Sequence, residues 1–542
     1  MKKLNLIFFS LLLGVIANSQ SALGSTKMNL NDSEIGISIE ENRELLTNSP
    51  ILMATTETSE GTRLYLCHKL RDEICLAARY IESISFLPPC DSDSSINCIE
   101  SVFATSSSGQ KIEAQFLKYV NDGSEFEYPA EPDINLPLGR AQGSLWTFPG
   151  LKNGAGNENY YVGTQLRSGI SVDSVNKKLI GKFSPIDIVA GISPVSLKTG
   201  AFGVNKPTDS THPSNDGSPN GGVGSGNSSQ DQSWTKCVVT ETGNCYMAED
   251  FPKEYRFGLK LRFGARLQGW YHGRIYQPTI SVVNGASYSQ TVTVEASPVQ
   301  VPTIREKVSP SVLPSDLRDF LLNNEVGNGW GYVMPGSSGQ DAFMQAKMWI
   351  PVIKDKATTS LTYWSVRTLM ARNGDILNKC SNGLDSLAGV VTTNALVYDA
   401  GPPIYDVATQ SLNYKVLSPH FSANGDLARG TYDLILSSRI ARCIYGFTNA
   451  PIQANISILS EDGSPQVATQ VINEKDGWLT LSAAGFTYSS PTIRVQLSQA
   501  TPSATPSPTQ AKKVTIKCAK GKTIKRVSGS APRCPNGFKR VQ

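Results

Sequence analysis

The chain has 542 residues, 39% of them hydrophobic, with 50 Lys and Arg against 46 Asp and Glu for a formal net charge of +4. Past the N-terminus no stretch approaches the ~18 consecutive apolar residues of a membrane-spanning helix, which excludes a helix-anchored mature protein. Two of the cations lie in the first 24 residues and ten in the last thirty-one, so the body between sets 38 against all 46 acids, a net of −8, while the tail stands at +10.

In chain order, "MKKLNLIFFSLLLGVIANSQSALGST" places Lys2 and Lys3 ahead of an apolar run from Leu4 to Ala17, the pattern of a secretory signal peptide over residues 1–24, with cleavage expected between Ser19 and Gly24. The expected mature chain is long enough for three or four domains. Residues 25–56 are polar and read as weakly ordered. Residues 57–204 read as a β-rich domain with two cysteine loops. Residues 205–233 hold a single aliphatic side chain, Val223, too little apolar surface to offset the entropy of ordering, and read as a flexible linker or disordered loop.

Ten cysteines in an exported chain indicate a disulfide framework. Cys67 and Cys75, Cys90 and Cys98, and Cys237 and Cys245 share the form C-x7-C. Cys518 and Cys534 stand apart beyond a linker, leaving Cys380 for Cys443. In the chain-entropy picture a nine-residue loop contributes about 2.5 kcal/mol and the Cys380 to Cys443 loop about 4 kcal/mol. The stretch "YLCHKLRDEICLAARYIES" sets two expectations against each other. Leu66, Leu70, Ile74 and Ile81 nearly follow a helical period, yet a continuous helix would hold Cys67 and Cys75 about 12 Å apart, too far for a bond. The bridged loop is the reading adopted.

Residues 234–375 read as a β-rich middle domain. In "RFGLKLRF", Phe257, Leu259, Leu261 and Phe263 alternate with Arg256, Gly258, Lys260 and Arg262, the period of a sheet with one wet face. "TISVV", "QTVTVEA", "TSLTYWSVRTL", "TYDLILSSRI", "ANISIL", "GWLTLSA" and "TIRVQL" are further strand candidates between turn-rich clusters. "PSDLRDFLLNN" is the best helix, with Ser315 or Asp316 as cap and Leu317, Phe320 and Leu321 on one face. Residues 376–498 fit an immunoglobulin-like sandwich in architecture only, since no Trp lies between Cys380 and Cys443. The fold class expected is therefore mainly β and multidomain: a β-sandwich or immunoglobulin-like body, few short helices and a small stapled C-terminal module.

Catalytic signatures are sparse. No Ser has Gly two residues away on both sides, and "GSSGQ" at Gly336 to Gln340 only resembles the hydrolase elbow. No zinc-protease, calcium-loop, dinucleotide or P-loop pattern occurs, and no metal or cofactor is expected. Among four His, His212 falls in the low-complexity segment and His68 in a cysteine loop, leaving His272 and His420 as general-base candidates. Trp270 and Tyr271 in "GWYHGR" and Trp330 and Tyr332 in "NGWGYV" sit beside Gly and Asn, where exposed rings would suit sugar faces; these four are the ligand-binding candidates, with carbohydrate as the ligand class. A carboxylate pair for glycoside hydrolysis would leave no local signature, so a secreted hydrolase of polysaccharide or peptidoglycan is the rival to a non-catalytic protein.

Residues 499–511, "QATPSATPSPTQA", form a stiff Pro/Ser/Thr spacer. Beyond it, "KKVTIKCAKGKTIKRVSGSAPRCPNGFKRVQ" (512–542) carries Lys512, Lys513, Lys517, Lys520, Lys522, Lys525, Arg526, Arg533, Lys539 and Arg540 without one acid. Two β-compatible segments flank a Lys-Gly turn, and a Cys518–Cys534 bond, about 3 kcal/mol for its loop, would hold together what the few apolar residues could not. The residues Thr515, Ile516, Cys518, Lys520, Gly521, Lys522, Pro532, Cys534, Pro535, Gly537, Phe538 and Lys539 make this stretch resemble the short C-terminal module of uncharacterised secreted actinobacterial proteins. The cysteine loops and "GWYHGRI" are similar to parts of large proteins of that group. The tail match spans about six per cent of the chain. It implies an exported protein of a Gram-positive cell and carries no catalytic residue. The expected partners are anionic wall polymers or lipid head groups, with nucleic acid secondary because of export, and the expected location is extracellular at the cell wall.

Overall fold

A computed structural model describes residues 27–41, 50–58, 61–121, 127–200, 202, 237–285, 289–327, 331–369, 380, 387–460, 463–466, 469–488, 491–499 and 514–542. The expected leader, the low-complexity segment 205–233, residues 500–511, Lys512, Lys513 and Trp330 lie outside them. The protein is mainly β. It divides into two compact units, a body running to residue 497 and a second unit of residues 498–542, with which residues 450–452 group.

In the body, one sheet of fifteen strands joins segments from nearly the whole chain. Its main path runs Thr469–Lys475, Trp478–Phe486, Gly430–Ser437, Leu387–Thr393, Gly269–Arg274, Ser365–Leu369, Lys178–Thr199, Asn159–Asp173, Tyr80–Phe86, Ile51–Thr58, Gly61–Cys67. The expected divisions 57–204, 234–375 and 376–498 are therefore not separate domains: Val189 and His272 both pair with Arg367, Tyr271 pairs with Val390, and Val391 pairs with Leu434. The low-complexity segment misled because it connects neighbours in the same sheet, Thr199 being registered against Asn244. Closing a loop costs only slowly more as it lengthens, so a long polar insertion need not mark a domain boundary.

A five-stranded sheet, Tyr276–Asn284, Gln290–Ser297, Tyr255–Phe263, Cys98–Ser106 and Lys111–Glu113, packs its apolar side onto the large one. Phe257, Leu259, Leu261 and Phe263 are buried, as their alternation requires, while Lys260 and Arg262 on the other side reach Glu100 at 2.5 and 2.8 Å. Gly258 is fixed by a close approach: a Cβ there would stand 2.3 Å from the Phe103 ring. The segment "TSLTYWSVRTL" breaks at Trp364 into Thr359–Tyr363, which pairs with Val299–Val308, and Ser365–Leu369, which enters the large sheet. Trp364 is buried at this corner and donates its indole N–H to the Ala296 carbonyl at 3.0 Å.

Within the stretch expected to be weakly ordered, Ile35–Ile39 is buried along its whole length, antiparallel to Val299–Val308 and parallel to Tyr332–Val333. "IGISI" is short and its neighbours are polar, so only its two partners disclose its place. Two helices share this core. Ser315–Asn323 buries Leu317 and Leu321 as the sequence indicates, although Pro314 occupies the cap position, with Ser315 already helical. Gln340–Val352 buries Ala342, Ala346, Trp349 and Ile350 at helical spacing. A third helix, Ser438–Tyr445, takes over the end of "TYDLILSSRI" and stops at Gly446, whose left-handed φ of 65° suits a residue without a side chain.

Residues 387–499 do contain two facing sheets. Ser411–Leu417, Thr492–Gln499 and Ile452–Leu459 form the core of the second, and Tyr414 on it meets Tyr432 of the first at 5.8 Å between ring centres. Because the first sheet continues through Leu387–Thr393 into Gly269–Arg274, this sandwich is a wing of the body rather than a free immunoglobulin-like domain. Five disulfides join Cys67 to Cys75, Cys90 to Cys98, Cys237 to Cys245, Cys380 to Cys443 and Cys518 to Cys534. In the first, a helix of only four residues, Glu73–Leu76, lets the chain double back so that the Cα atoms lie 6.0 Å apart.

The second unit is a three-stranded antiparallel sheet. Val514–Lys520 is central, with Thr523–Gly529 and Lys539–Val541 on its flanks. Ile516 and Cys518 are its buried side chains. So small an apolar core makes the Cys518–Cys534 bond the main restraint on the unfolded chain. No helix among the described residues is long and apolar enough to cross a membrane.

Candidate functional site

Among the described residues, the aromatic candidates Trp270, Tyr271 and Tyr332 do not form a platform. Trp270 and Tyr271 lie on Gly269–Arg274, a strand buried between neighbours on both sides, and are 1% and 4% exposed. Trp270 packs over Gly389, where a Cβ would come within 2.5 Å of its ring. Tyr271 helps line an apolar cavity of about 40 Å³ between the two sheets, together with Leu259, Phe263, Trp364 and Val390. Glycine neighbours here serve close packing of a central strand rather than a loop, which reverses the reading of "GWYHGR". Tyr332 is half-buried. Its ring covers Gly36 and carries Arg305 and Lys307 at 4.9 and 5.5 Å from its centre, so its face is already engaged.

The polar centre of the body lies one residue further along the same strand. His272 and Arg274 point to one side of it, and both are 1% exposed. The His272 ring stacks on Tyr398 at 3.7 Å with a 4° tilt, and Arg274 lies 4.4 Å from the centre of the Tyr398 ring. Arg274 donates from Nε to Glu41 at 2.7 Å and from Nη1 to the carbonyls of Thr393 and Ala395 at 2.9 and 2.6 Å. Arg367 donates to the Tyr398 hydroxyl and to Ser338 Oγ. Burial pushes the Glu41 carboxyl up, but Arg274 and Arg367 outweigh it and hold it below its ordinary value. Burial, reinforced by the same two guanidiniums, holds His272 neutral, well below 6.5. The cluster is an anion cradle filled by the chain's own Glu41. Sequence reasoning missed it because Glu41 sits in the stretch taken for weakly ordered, and because the arginine of "GWYHGR" drew less notice than its rings.

His420 pairs with Asp355: Nδ1 lies 2.5 Å from Oδ2, and the His420 backbone N–H donates to Oδ1 at 2.8 Å. The carboxylates Glu82 and Asp187 lie on either side of Arg167, at 2.6 and 3.5 Å, on adjacent strands. Arg167 bridges the two strands through them, and burial, with Glu82 nearby, still lifts the Asp187 carboxyl above its ordinary value.

The tail presents the other candidate surface. Lys517, Lys520, Lys522, Lys525, Arg526, Arg533, Lys539 and Arg540 are all exposed, and the unit contains no acidic residue to pair with them. Lys517 and Arg526 are directly opposite one another across the first two strands. Like charges in that position repel and weaken a sheet, so nothing in the stability of the module accounts for their presence. Lys525 lies 5.4 Å from the centre of the Phe538 ring, and the Thr515 and Ser528 hydroxyls meet at 2.6 Å. The arrangement can attract and hold anions through many separate contacts.

No protein-family model, curated protein or solved structure matches the chain.

Proposed function

We propose that this is an exported, non-catalytic protein of the cell envelope, whose mainly β body serves binding, adhesion or structure and whose C-terminal module attracts it to anionic polymers or head groups outside the cell. The observation that carries this reading is the tail module, on which eight exposed cations, six of them on its sheet, stand without one acid and two of them face each other across neighbouring strands. Five disulfides agree with an oxidising compartment. Each cation near an anionic surface contributes about 1 kcal/mol, a gain that fades with salt.

Removal of residues 512–542 tests the proposal. The truncated protein is expected to pass from the wall fraction into the medium, and the full chain to be released from isolated walls by salt. Equal retention of the two forms would reject the tail as the attachment device.

A further inference from the structure

The strand register of the tail narrows what it attaches to. Residues directly paired across an antiparallel sheet point to the same side, and successive residues alternate. Lys517 pairs with Arg526 and Val541, and Ala519 with Ile524 and Lys539, which puts Lys517, Arg526 and Lys539 on one side of the sheet. Cys518 pairs with Lys525 and Arg540, and Lys520 with Thr523, which puts Lys520, Lys525 and Arg540 on the other. Lys522 projects from the turn at Gly521, and Arg533 from the segment before Cys534. The cations thus surround the module.

A protein that rests on a bilayer gathers its cations on the side that bears its inserting apolar residues, because only one side of a rigid body can meet a plane. Here half of the sheet cations would face away from any plane. The apolar side chains also fail to form an inserting patch. Ile524 and Val541, 64% and 38% exposed, share the first side but lie on opposite outer strands, about 12 Å apart with the central strand between them, and Val514, 49% exposed, begins the central strand on the second side. Phe538, half-buried, lies beside Lys525, which belongs to the second side. We infer that the tail takes a flexible linear polymer with closely spaced anionic groups, which crosses both sides of the sheet, in preference to a lipid surface. This inference rests on the polyanion reading above and selects one of its two sources of negative charge.

The test uses the full chain at low ionic strength, with long-chain polyphosphate as the polymer and vesicles of phosphatidylcholine and phosphatidylglycerol in equal parts as the surface. Two triple variants are compared, K517Q/R526Q/K539Q for the first side and K520Q/K525Q/R540Q for the second. Absence of free thiol at Cys518 and Cys534 verifies that each module has closed. The expected result is tighter binding to polyphosphate than to vesicles, with each variant losing on the order of 100-fold in polymer affinity. Loss confined to one triple, or vesicles bound more tightly than the polymer, would overturn the inference while leaving the polyanion reading in place. Binding to neither probe by the wild-type chain would overturn both. Should a variant fail to close its disulfide, the polymer and vesicle affinities of the wild-type chain decide the matter.

Discussion

The body and the tail treat charge in opposite ways. In the body, cations at buried and half-buried places are paired with acids: Arg274 is closed onto Glu41 away from water, Arg167 is held between Glu82 and Asp187, and Lys260 and Arg262 share Glu100. In the tail the eight described cations are open to solvent and have no acid in their own unit, and the sheet tolerates Lys517 against Arg526. A buried charge must be paired, since the desolvation penalty of an unpaired one exceeds what a fold can supply. A cation left in water at a cost to its own sheet is available to a partner. The pairing of these body cations is accounted for by folding, and the charge of the tail is not.

The comparison is tested hardest at Glu41. Glu41→Ala leaves Arg274 uncompensated in the interior and is expected to cost the body about 3–5 kcal/mol, read by denaturant unfolding, with salt-dependent wall binding unchanged. A neutral outcome would show that the cradle is not closed. The counterpart in the tail is the double change Cys518→Ser with Cys534→Ser. It should remove about 3 kcal/mol from the module alone, seen as protease susceptibility after residue 511, while the melting of the body stays put.

Acid should separate the two units further. Glu41 has a folded-state value below 4.5 and His272 one well below 6.5. For each group the unfolded chain takes up its proton at a higher pH than the folded one. Their stabilisation is therefore complete above the unfolded values and is lost as pH falls toward the folded ones. These two groups should weaken the body below about pH 6.5 by up to about 1.4 kcal/mol per pH unit for each proton gained on unfolding, while Asp187 and Asp433, raised by burial, take up their protons sooner in the folded chain and offset part of the loss in the carboxylate range. A melting temperature of the body that stays flat from neutrality to about pH 4 would contradict this. The smallest effect expected is that of one tail cation: Lys517→Gln should weaken polyphosphate binding about fivefold at low salt and leave the unfolding of the body untouched.

How much of this was legible varies along the chain. The strand of Phe257, Leu259, Leu261 and Phe263 could be read because one side is wet, so burial leaves a period of two in the residue types. Leu317 and Leu321 marked their helix in the same way. Ile35–Ile39 alternates its isoleucines with Gly36 and Ser38 but is short and set among polar neighbours, while Gly269–Arg274 could not be read in that manner, since a strand covered on both sides loses the alternation. Without it, Trp270 and Tyr271 beside glycines look as much like a loop as a core. The helix Gln340–Val352 was hidden by Pro351, which lies in its last turn.

The amino-acid order alone determined what is local: which cysteines lie at loop-closing distance, which segments alternate, and that +10 of charge is gathered where no acid stands. Only the tertiary structure decided that three expected domains share one sheet, that Glu41 fills the cradle of Arg274 and Arg367, and that the tail's cations divide between two sides. Those facts depend on which strands become neighbours, and strand pairing links residues hundreds of positions apart through backbone hydrogen bonds that every residue type can make.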